Sequence, residues 1–225
     1  MTIHAPTGRP VLFLLAAGIV ASCASTEQRG DRAPTLEEAA TLRVELLERA
    51  ERDQEIRSRV VAAFERGETP RVSEEDSRID RENTARLEEI VDRWGWPDVS
   101  LVGEDGAHAA WLLVQHADHR PDFQERCLPL LAEAAERGQV SKGDVAYLTD
   151  RVRVKLGRPQ VYGTQYAGER TEGGTFVSLP PLVEDVEGLD VRRAAVGLGP
   201  WIEYERSMAR LQGREPFDRP RSASE

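Results

Sequence analysis

The sequence has no apolar run long enough to cross a bilayer, and it contains only two cysteines. Its longest apolar run, Val11–Val20, has ten residues, whereas a membrane-spanning helix needs ~20 residues. A run of this length is typical of the apolar core of a signal peptide, and small residues follow it up to Cys23. We therefore expect residues 1–22 to be a signal peptide and Cys23 to carry a lipid. The alternative is an ordinary signal peptide that is cleaved nearby.

Lipid attachment at Cys23 would leave Cys127 as the remaining thiol, which excludes an internal disulfide in the exported chain. Cys127 lies among leucines, so we expect a buried, unreactive core residue. Ala24 and Ser25 follow Cys23 and no aspartate stands directly after it. By resemblance to the sorting rules of Gram-negative lipoproteins, this favours an exported protein anchored to the periplasmic face of the outer membrane.

The chain has no excess of positive charge, because 40 acidic residues outnumber 30 basic ones and the formal net charge is −10. Nucleic acid is therefore not expected as a partner. Residues 23–34 are polar and are predicted to form a lipid-attached tether, and residues 212–225 are predicted to form a flexible tail. Between them, residues 35–211 are long enough for a single, mostly helical domain. The expected partners are the membrane, through the lipid on Cys23, and a small-molecule ligand, while the sequence identifies no protein partner.

The spacing of apolar residues predicts a mainly α fold, a compact helical domain with one small β-hairpin. Capping residues and glycine or proline stops mark the ends of five longer helices. A segment rich in valine, tyrosine, threonine and phenylalanine follows and predicts the hairpin. We expect helices over about 35–66, 73–94, 104–119, 122–137 and 141–156, a hairpin of 160–166 with 175–179, and two short helices near Val191 and Trp201.

The predicted third helix carries the first candidate site residues, Gln115 and His116. At about 100° per residue these polar side chains fall on an arc with Trp111 and Leu112, opposite a purely apolar stripe. Buried polar groups need partners, so they either bond internally or line a pocket. His116 is a candidate catalytic base or ligand contact, and the alternative is a structural histidine in the core. His108 and His119 raise the question of a metal, but no HExxH motif is present, so we predict neither a metal site nor a cofactor.

Asp150 and Arg151 are adjacent on the predicted fifth helix and must therefore serve different partners. Asp150 is a candidate catalytic residue that would orient His116, as carboxylates do in catalytic triads. Arg151 is a candidate ligand-binding residue, because a guanidinium can fork onto a carboxylate or phosphate. The alternative is a pair of structural salt bridges. Asp53 and Arg57, spaced i,i+4 on the first helix, predict an ordinary surface ion pair unless they are buried.

The predicted strand from Gln160 to Gln165 would place Gln160, Tyr162 and Thr164 on one face. Three polar side chains in a row are not typical of a core, so Gln160, Tyr162 and Gln165 are candidate ligand-binding residues. The alternative is that these side chains tie the hairpin to the helices. The chain contains neither a phosphate-binding glycine loop nor a Gly-x-Ser-x-Gly elbow.

Several of these segments together resemble a bacterial family filed as a domain of unknown function, number 6624. The resemblance covers about Leu46 to Tyr204 and is specific in order and spacing. It implies a compact, largely helical domain that often occurs in exported proteins, and it implies no established activity. The motifs that carry it are DQxxR at Asp53, ENT through GWP from Glu82 to Pro97, QHAD at Gln115, AYLTDR at Ala146, QVYGTQ at Gln160, and RR through GL to EY from Arg192 to Tyr204.

Two functions remain open at this stage. In the first, the chain is a lipid-anchored envelope protein with a polar pocket that binds or hydrolyses a small anionic or peptide-like ligand. In the second, it is a non-catalytic structural or protein-interaction lipoprotein whose polar motif residues only hold the fold together. The first function would be favoured if one solvent-reachable cleft were lined by Gln115, His116, Asp150, Arg151 and Tyr162. The second function would be favoured if these side chains were scattered, or if their hydrogen-bonding groups were all used in bonds to one another.

Overall fold

The computed structural model describes residues 33–66, 68, 71–170 and 176–223, and within them the chain forms seven helices and four short strands. The helices are α1 (Leu36–Glu65), α2 (Glu74–Trp94), α3 (Val99–Gln115), α4 (Pro121–Glu136), α5 (Lys142–Lys155), α6 (Leu189–Ala195) and α7 (Trp201–Leu211). The strands are β1 (Ala167–Arg170), β2 (Phe176–Leu179), β3 (Leu182–Val183) and β4 (Arg221–Ser222). The predicted mainly α fold is confirmed, while the predicted signal peptide and Cys23 lie outside the described residues.

The main hydrophobic core is built from the apolar faces of α1 to α5. Leu46 of α1, Leu87 and Ile90 of α2, and Leu113 of α3 are almost completely buried in it. Burying one such side chain stabilises the fold by about 1.5–3 kcal/mol. The core therefore fixes α1, α2 and α3 against one another, and any polar group at their interface is held by a rigid frame.

The starts of α1 and α2 follow the predicted capping residues. Glu38 N donates to Thr35 Oγ1 at 3.2 Å, and Thr35 N donates to the Glu38 carboxylate at 2.8 Å. Ser73 and Asp76 make the same reciprocal pair at the start of α2. Each pair satisfies backbone N–H groups that the first turn of a helix leaves open.

Helix α3 begins five residues before the predicted position, at Val99, because Asp98 accepts from the backbone N–H of Ser100 as an N-cap. Gly103, with φ of 75°, then kinks the helix. Such a left-handed conformation favours glycine and interrupts regular helical bonding. The predicted start at Glu104 therefore marks only the part of α3 that follows the kink. The helix ends at Gln115, and His116 is its C-cap.

Helices α4 and α5 pack against each other, and Cys127 of α4 is completely buried in the main core. Burial raises the pKa of the Cys127 thiol to about 12, which keeps it protonated and unreactive at neutral pH. The prediction of a core cysteine is confirmed. Pro121 stands in the first turn of α4 and Pro129 inside the same helix.

The predicted hairpin is present, but its first strand begins later than the sequence suggests. β1 pairs antiparallel with β2, with Ala167 opposite Leu179, and Gln160 makes only an isolated bridge with Val183. The segment 160–166 is not a strand because three of its backbone N–H groups, those of Val161, Tyr162 and Thr164, donate to the Asp150 carboxylate and are not available for a strand ladder. The prediction that Gln160, Tyr162 and Thr164 share one face of a strand is therefore wrong.

The C-terminal segment, whose composition predicts a loose tail, lies against the domain in residues 212–223. β4 runs parallel to β3, with Leu182 opposite Arg221. The start of the segment is held by Glu205, a fully buried residue of α7. The Glu205 carboxylate accepts from Phe217 N at 2.8 Å and from Arg214 Nη1 at 2.6 Å.

Across the described ranges, no helix has both the length and the apolar character needed to cross a membrane.

Candidate functional site

His116 and Asp53 form a hydrogen-bonded pair between the end of α3 and the middle of α1. The Nδ1 atom of His116 lies 2.7 Å from Asp53 Oδ2. An ionised carboxylate can only accept, so Nδ1 carries the hydrogen and the neutral ring has its lone pair on Nε2. Among the described residues Nε2 has no hydrogen-bond partner, and the His116 side chain is 20% exposed while that of Asp53 is 1% exposed. The buried carboxylate therefore fixes a histidine whose second nitrogen remains available.

Asp53 is held by two further donors in addition to His116. Gln54 Nε2 donates to Oδ2 at 2.9 Å, and Arg57 Nη2 donates to Oδ1 at 3.2 Å and to Asp80 of α2 at 2.5 Å. Burial acts to raise the pKa of Asp53, but the hydrogen bond and charge of His116, with Arg57, outweigh it and hold the pKa below its ordinary value. The carboxylate is therefore ionised at neutral pH and can stabilise a positive charge on His116.

The importance of Asp53 was missed by reasoning from the sequence, which treats it as half of an i,i+4 pair with Arg57. A signal was present, however, because Asp53 falls in the apolar stripe of α1 with Leu46, Ala50 and Ile56. A carboxylate at a core position needs partners from another element. Here the partner from another element is His116.

Gln115 and Arg151 come together as the pocket hypothesis requires. Arg151 Nε donates to Gln115 Oε1 at 2.8 Å, and Arg151 Nη1 donates to both carboxylate oxygens of Asp118 at 3.1 Å. The Gln115 side chain is almost completely buried, and its Nε2 has no hydrogen-bond partner in the described part of the chain. The carbonyl oxygen of the Gln115 amide therefore accepts from Arg151, whereas its NH₂ group has no acceptor among the described residues.

Asp150 does not occupy the position that the sequence predicted beside His116, since Asp53 stands there. The carboxylate of Asp150 accepts from Val161 N at 2.8 Å, from Tyr162 N at 3.1 Å, and from the backbone and hydroxyl of Thr164 at 2.9 and 3.0 Å. Asp150 is fully buried. Burial raises its pKa, although the hydrogen bonds act in the opposite direction. In this position Asp150 organises the loop from 160 to 166.

Gln160 and Gln165 bind each other within the same loop. Gln160 Nε2 donates to the Gln165 carbonyl at 2.8 Å, and Gln165 N donates to Gln160 Oε1 at 2.9 Å. The loop is also tied to the last helices, because Arg193 Nη1 donates to the Tyr162 carbonyl at 2.7 Å and the Tyr204 hydroxyl donates to the Thr164 carbonyl at 2.8 Å. These contacts are the closed network that the alternative hypothesis predicts.

The predicted pocket residues thus form two groups. Arg151 of α5 bonds to Gln115, the residue before His116 at the end of α3. In the second group, Asp150 accepts from the backbone of the loop, and Gln160 and Gln165 bond to each other within it. Of the predicted site residues that the structure describes, only Tyr162 lines a separate cleft of about 310 Å³ between α4, α5 and the end of α6.

The described ranges contain no group of three or more histidine, cysteine, aspartate or glutamate side chains placed to hold a metal ion.

The fold and the site define a mainly helical domain with a buried carboxylate–histidine pair. A family model described as a family of unknown function, DUF6624, matches residues 40–214. The match covers more than half of the 225 residues, and the chain belongs to this family. The resemblance drawn from the sequence motifs is confirmed. No curated protein and no solved structure matches the chain.

Proposed function

We propose that the chain is a lipid-anchored protein of the cell envelope in which His116 is the general base of a hydrolytic site for a small anionic or peptide-like ligand. The observation that carries the proposal is the 2.7 Å contact between His116 Nδ1 and the buried Asp53 carboxylate. A carboxylate on one ring nitrogen fixes the tautomer and orientation of the imidazole and stabilises its protonated form. Nε2 is then the atom that takes a proton.

Water is the nucleophile that this arrangement suits. Nε2 of His116 takes a proton from water, and the oxygen of that water forms a bond to the carbonyl carbon or phosphorus of the substrate. The proton on Nε2 then passes to the leaving group as its bond to the substrate breaks, which regenerates the neutral ring. Asp53 keeps its negative charge throughout and stabilises the imidazolium, so it is a positioning residue in this scheme.

Substitution of His116 by alanine should lower hydrolysis by about 10²-fold or more, as expected when a general base is removed. Turnover would be measured with p-nitrophenyl acetate, p-nitrophenyl phosphate and bis-p-nitrophenyl phosphate. Added imidazole should restore part of the activity of the variant, because it can replace the missing base. His119 lies three residues further on and is exposed, so His119→Ala is the matched control and should keep full activity.

Two results would contradict the general-base proposal. One is the absence of turnover by the wild-type protein with all three esters. The other is equal turnover by wild type and His116→Ala at equal folded fraction, measured by thermal unfolding. Partial rescue by imidazole separates loss of the base from loss of structure, since free imidazole cannot repair a misfolded chain.

The anchor is tested independently of the chemistry. The support for it is the ten-residue apolar run followed by small residues and Cys23. Wild-type protein in a Gram-negative host should incorporate labelled palmitate and fractionate with the outer membrane, and Cys23→Ser should lose both properties. Palmitate incorporation that persists in Cys23→Ser would contradict lipid attachment at this residue.

A second candidate function is a structural or protein-interaction lipoprotein without catalytic activity. The observation that favours it is the closed network of Asp150, Gln160, Thr164 and Arg193, all at most 3% exposed. On this reading His116 also only stabilises the packing of α3 against α1. Alanine at His116 would then lower the melting temperature, and imidazole would restore nothing.

A further inference from the structure

The cleft of about 310 Å³ between α4, α5 and the end of α6 takes no part in the chemistry proposed at His116, because neither His116 nor Asp53 lines it. Its volume falls at the lower end of the range of about 300–1,000 Å³ that is usual for small-molecule sites. The size of the cleft therefore favours a small molecule over a segment of another protein.

Most of the wall of the cleft is formed by small apolar side chains. Helix α4 contributes two alanines and α5 a valine and an alanine, and a valine closes the end next to α6. They are Ala132, Ala135, Val145, Ala146 and Val196. Short side chains at these positions leave space between the two helices that longer ones would occupy. Because removing apolar surface from water is favourable, such a wall suits an apolar ligand.

The charged side chains that line the cleft are already paired. Glu136 Oε1 lies 2.9 Å from Lys142 Nζ. Glu133 Oε1 accepts from Arg137 Nη1 at 2.6 Å. Each pair joins one negative and one positive charge, so a charged ligand would lose its hydration without gaining an unmatched partner. The charge distribution around the cleft therefore favours a neutral ligand.

Tyr162 supplies the remaining polar group among the lining residues. Its N–H donates to the Asp150 carboxylate at 3.1 Å, and its carbonyl accepts from Arg193 Nη1 at 2.7 Å. Its hydroxyl, by contrast, has no hydrogen-bond partner in the part of the chain that the structure describes. Burial raises the pKa of Tyr162, so the hydroxyl stays protonated at neutral pH and can both donate and accept. The backbone of Tyr162 is thus fixed while its hydroxyl is free to bind.

We propose that this cleft binds a small, neutral, mainly apolar molecule that carries a hydroxyl or carbonyl group, and that the Tyr162 hydroxyl hydrogen-bonds to that group. Contact with the apolar wall supplies most of the affinity, and the hydrogen bond fixes the orientation of the ligand. The site does not depend on hydrolysis at His116. It also gives the network around Asp150 a purpose beyond stability, because that network holds Tyr162 at the cleft.

The class of ligand is tested with three probes that share one ring and differ in charge at neutral pH: benzyl alcohol, benzylamine and benzoate. Each is titrated into the wild-type protein at constant ionic strength, and binding is followed through the backbone amide signals in NMR spectra. Benzyl alcohol should bind saturably and about 10-fold or more tightly than either charged probe. The signals that move most should include those of Ala135, Val145 and Val196, which line the cleft.

Two variants locate the site and its polar contact. Ala132 is an exposed lining residue, so Ala132→Leu should fill part of the cleft without disturbing the core and should abolish saturable binding. Ala85→Leu adds the same volume at an exposed position of α2 and is the matched control, which should bind as wild type does. Tyr162→Phe should weaken the binding of benzyl alcohol by about 2- to 10-fold and leave the binding of toluene unchanged.

The proposal fails if benzyl alcohol does not bind saturably to wild type, if a charged probe binds more tightly, or if Ala132→Leu binds as wild type does. Equal weakening of benzyl alcohol and toluene in Tyr162→Phe would exclude the hydrogen bond. Sedimentation of the same proteins tests a different occupant. A wild-type dimer that becomes monomeric in Ala132→Leu would show that a second copy of the chain covers the cleft, which would also overturn the proposal.

Discussion

Replacing Asp150 by alanine is expected to lower the free energy of unfolding by about 4 kcal/mol or more. The fully buried carboxylate accepts the backbone N–H groups of Val161, Tyr162 and Thr164. Alanine would leave these groups without acceptors inside the protein, and each loss costs about 1–3 kcal/mol. The effect is a large part of the 5–15 kcal/mol that typically stabilises a domain. Urea unfolding followed by circular dichroism measures it.

Asp118→Ala is the control for the Asp150 prediction. Asp118 is likewise a hydrogen-bonded aspartate, with Arg151 of α5 as its partner, but its side chain is 44% exposed. Removal of such an exposed partner should cost less than about 1 kcal/mol. An Asp150→Ala protein that unfolds at the same urea concentration as Asp118→Ala would show that the loop from 160 to 166 does not depend on this carboxylate.

Replacing Asp53 by alanine is the second substitution with a large expected effect, a loss of about 3 kcal/mol at neutral pH. This is the lower end of the range for removing one partner of a buried ion pair, because His116 and Arg57 are partly exposed and Arg57 keeps its bond to Asp80. The same variant should also lose the proposed hydrolytic activity, since the imidazole of His116 loses the group that orients it.

The Asp53 effect should depend on pH in a defined direction. The pKa of Asp53 is lower in the folded protein than its ordinary value, so the unfolded chain binds the proton more readily. The stability that Asp53 contributes is therefore complete above the unfolded pKa, about 3.9, and is lost as the pH falls through the folded pKa. The difference in unfolding free energy between wild type and Asp53→Ala should shrink below about pH 4. A difference that keeps growing as the pH falls further below about 4 would contradict this assignment.

The helical part of the fold was largely predictable because its signals are local. Apolar spacing along α1, the capping residues Thr35 and Ser73, and the glycine stops act within a few turns of chain. The start of α3 before Glu104 was missed because Gly103 looks like a helix boundary in the sequence but is a kink in the structure. The pairing of β3 with β4 was missed because strands of two residues carry too weak a pattern to recognise.

The candidate site was predictable only in part, because which side chains meet depends on the packing of distant segments. Arg151 does reach Gln115, as their polar character suggested. The carboxylate beside His116, however, comes from α1, and a choice between Asp53 and Asp150 needs the relative placement of three helices. The chemistry of the residues indicated that a histidine would pair with an acid, and only the fold could indicate which one.

The parallel pairing of β3 and β4 ties the last described residues of the chain to the region around Gln160, because Val183 pairs with Ser222 on one side and bridges Gln160 on the other. A chain shortened after Leu211 would lose this outer strand together with the Phe217 N–H that binds Glu205. An uncovered strand edge offers unpaired backbone groups to another molecule and promotes aggregation. The contacts that hold the C-terminal segment to the domain therefore extend past residue 214, where the family match ends.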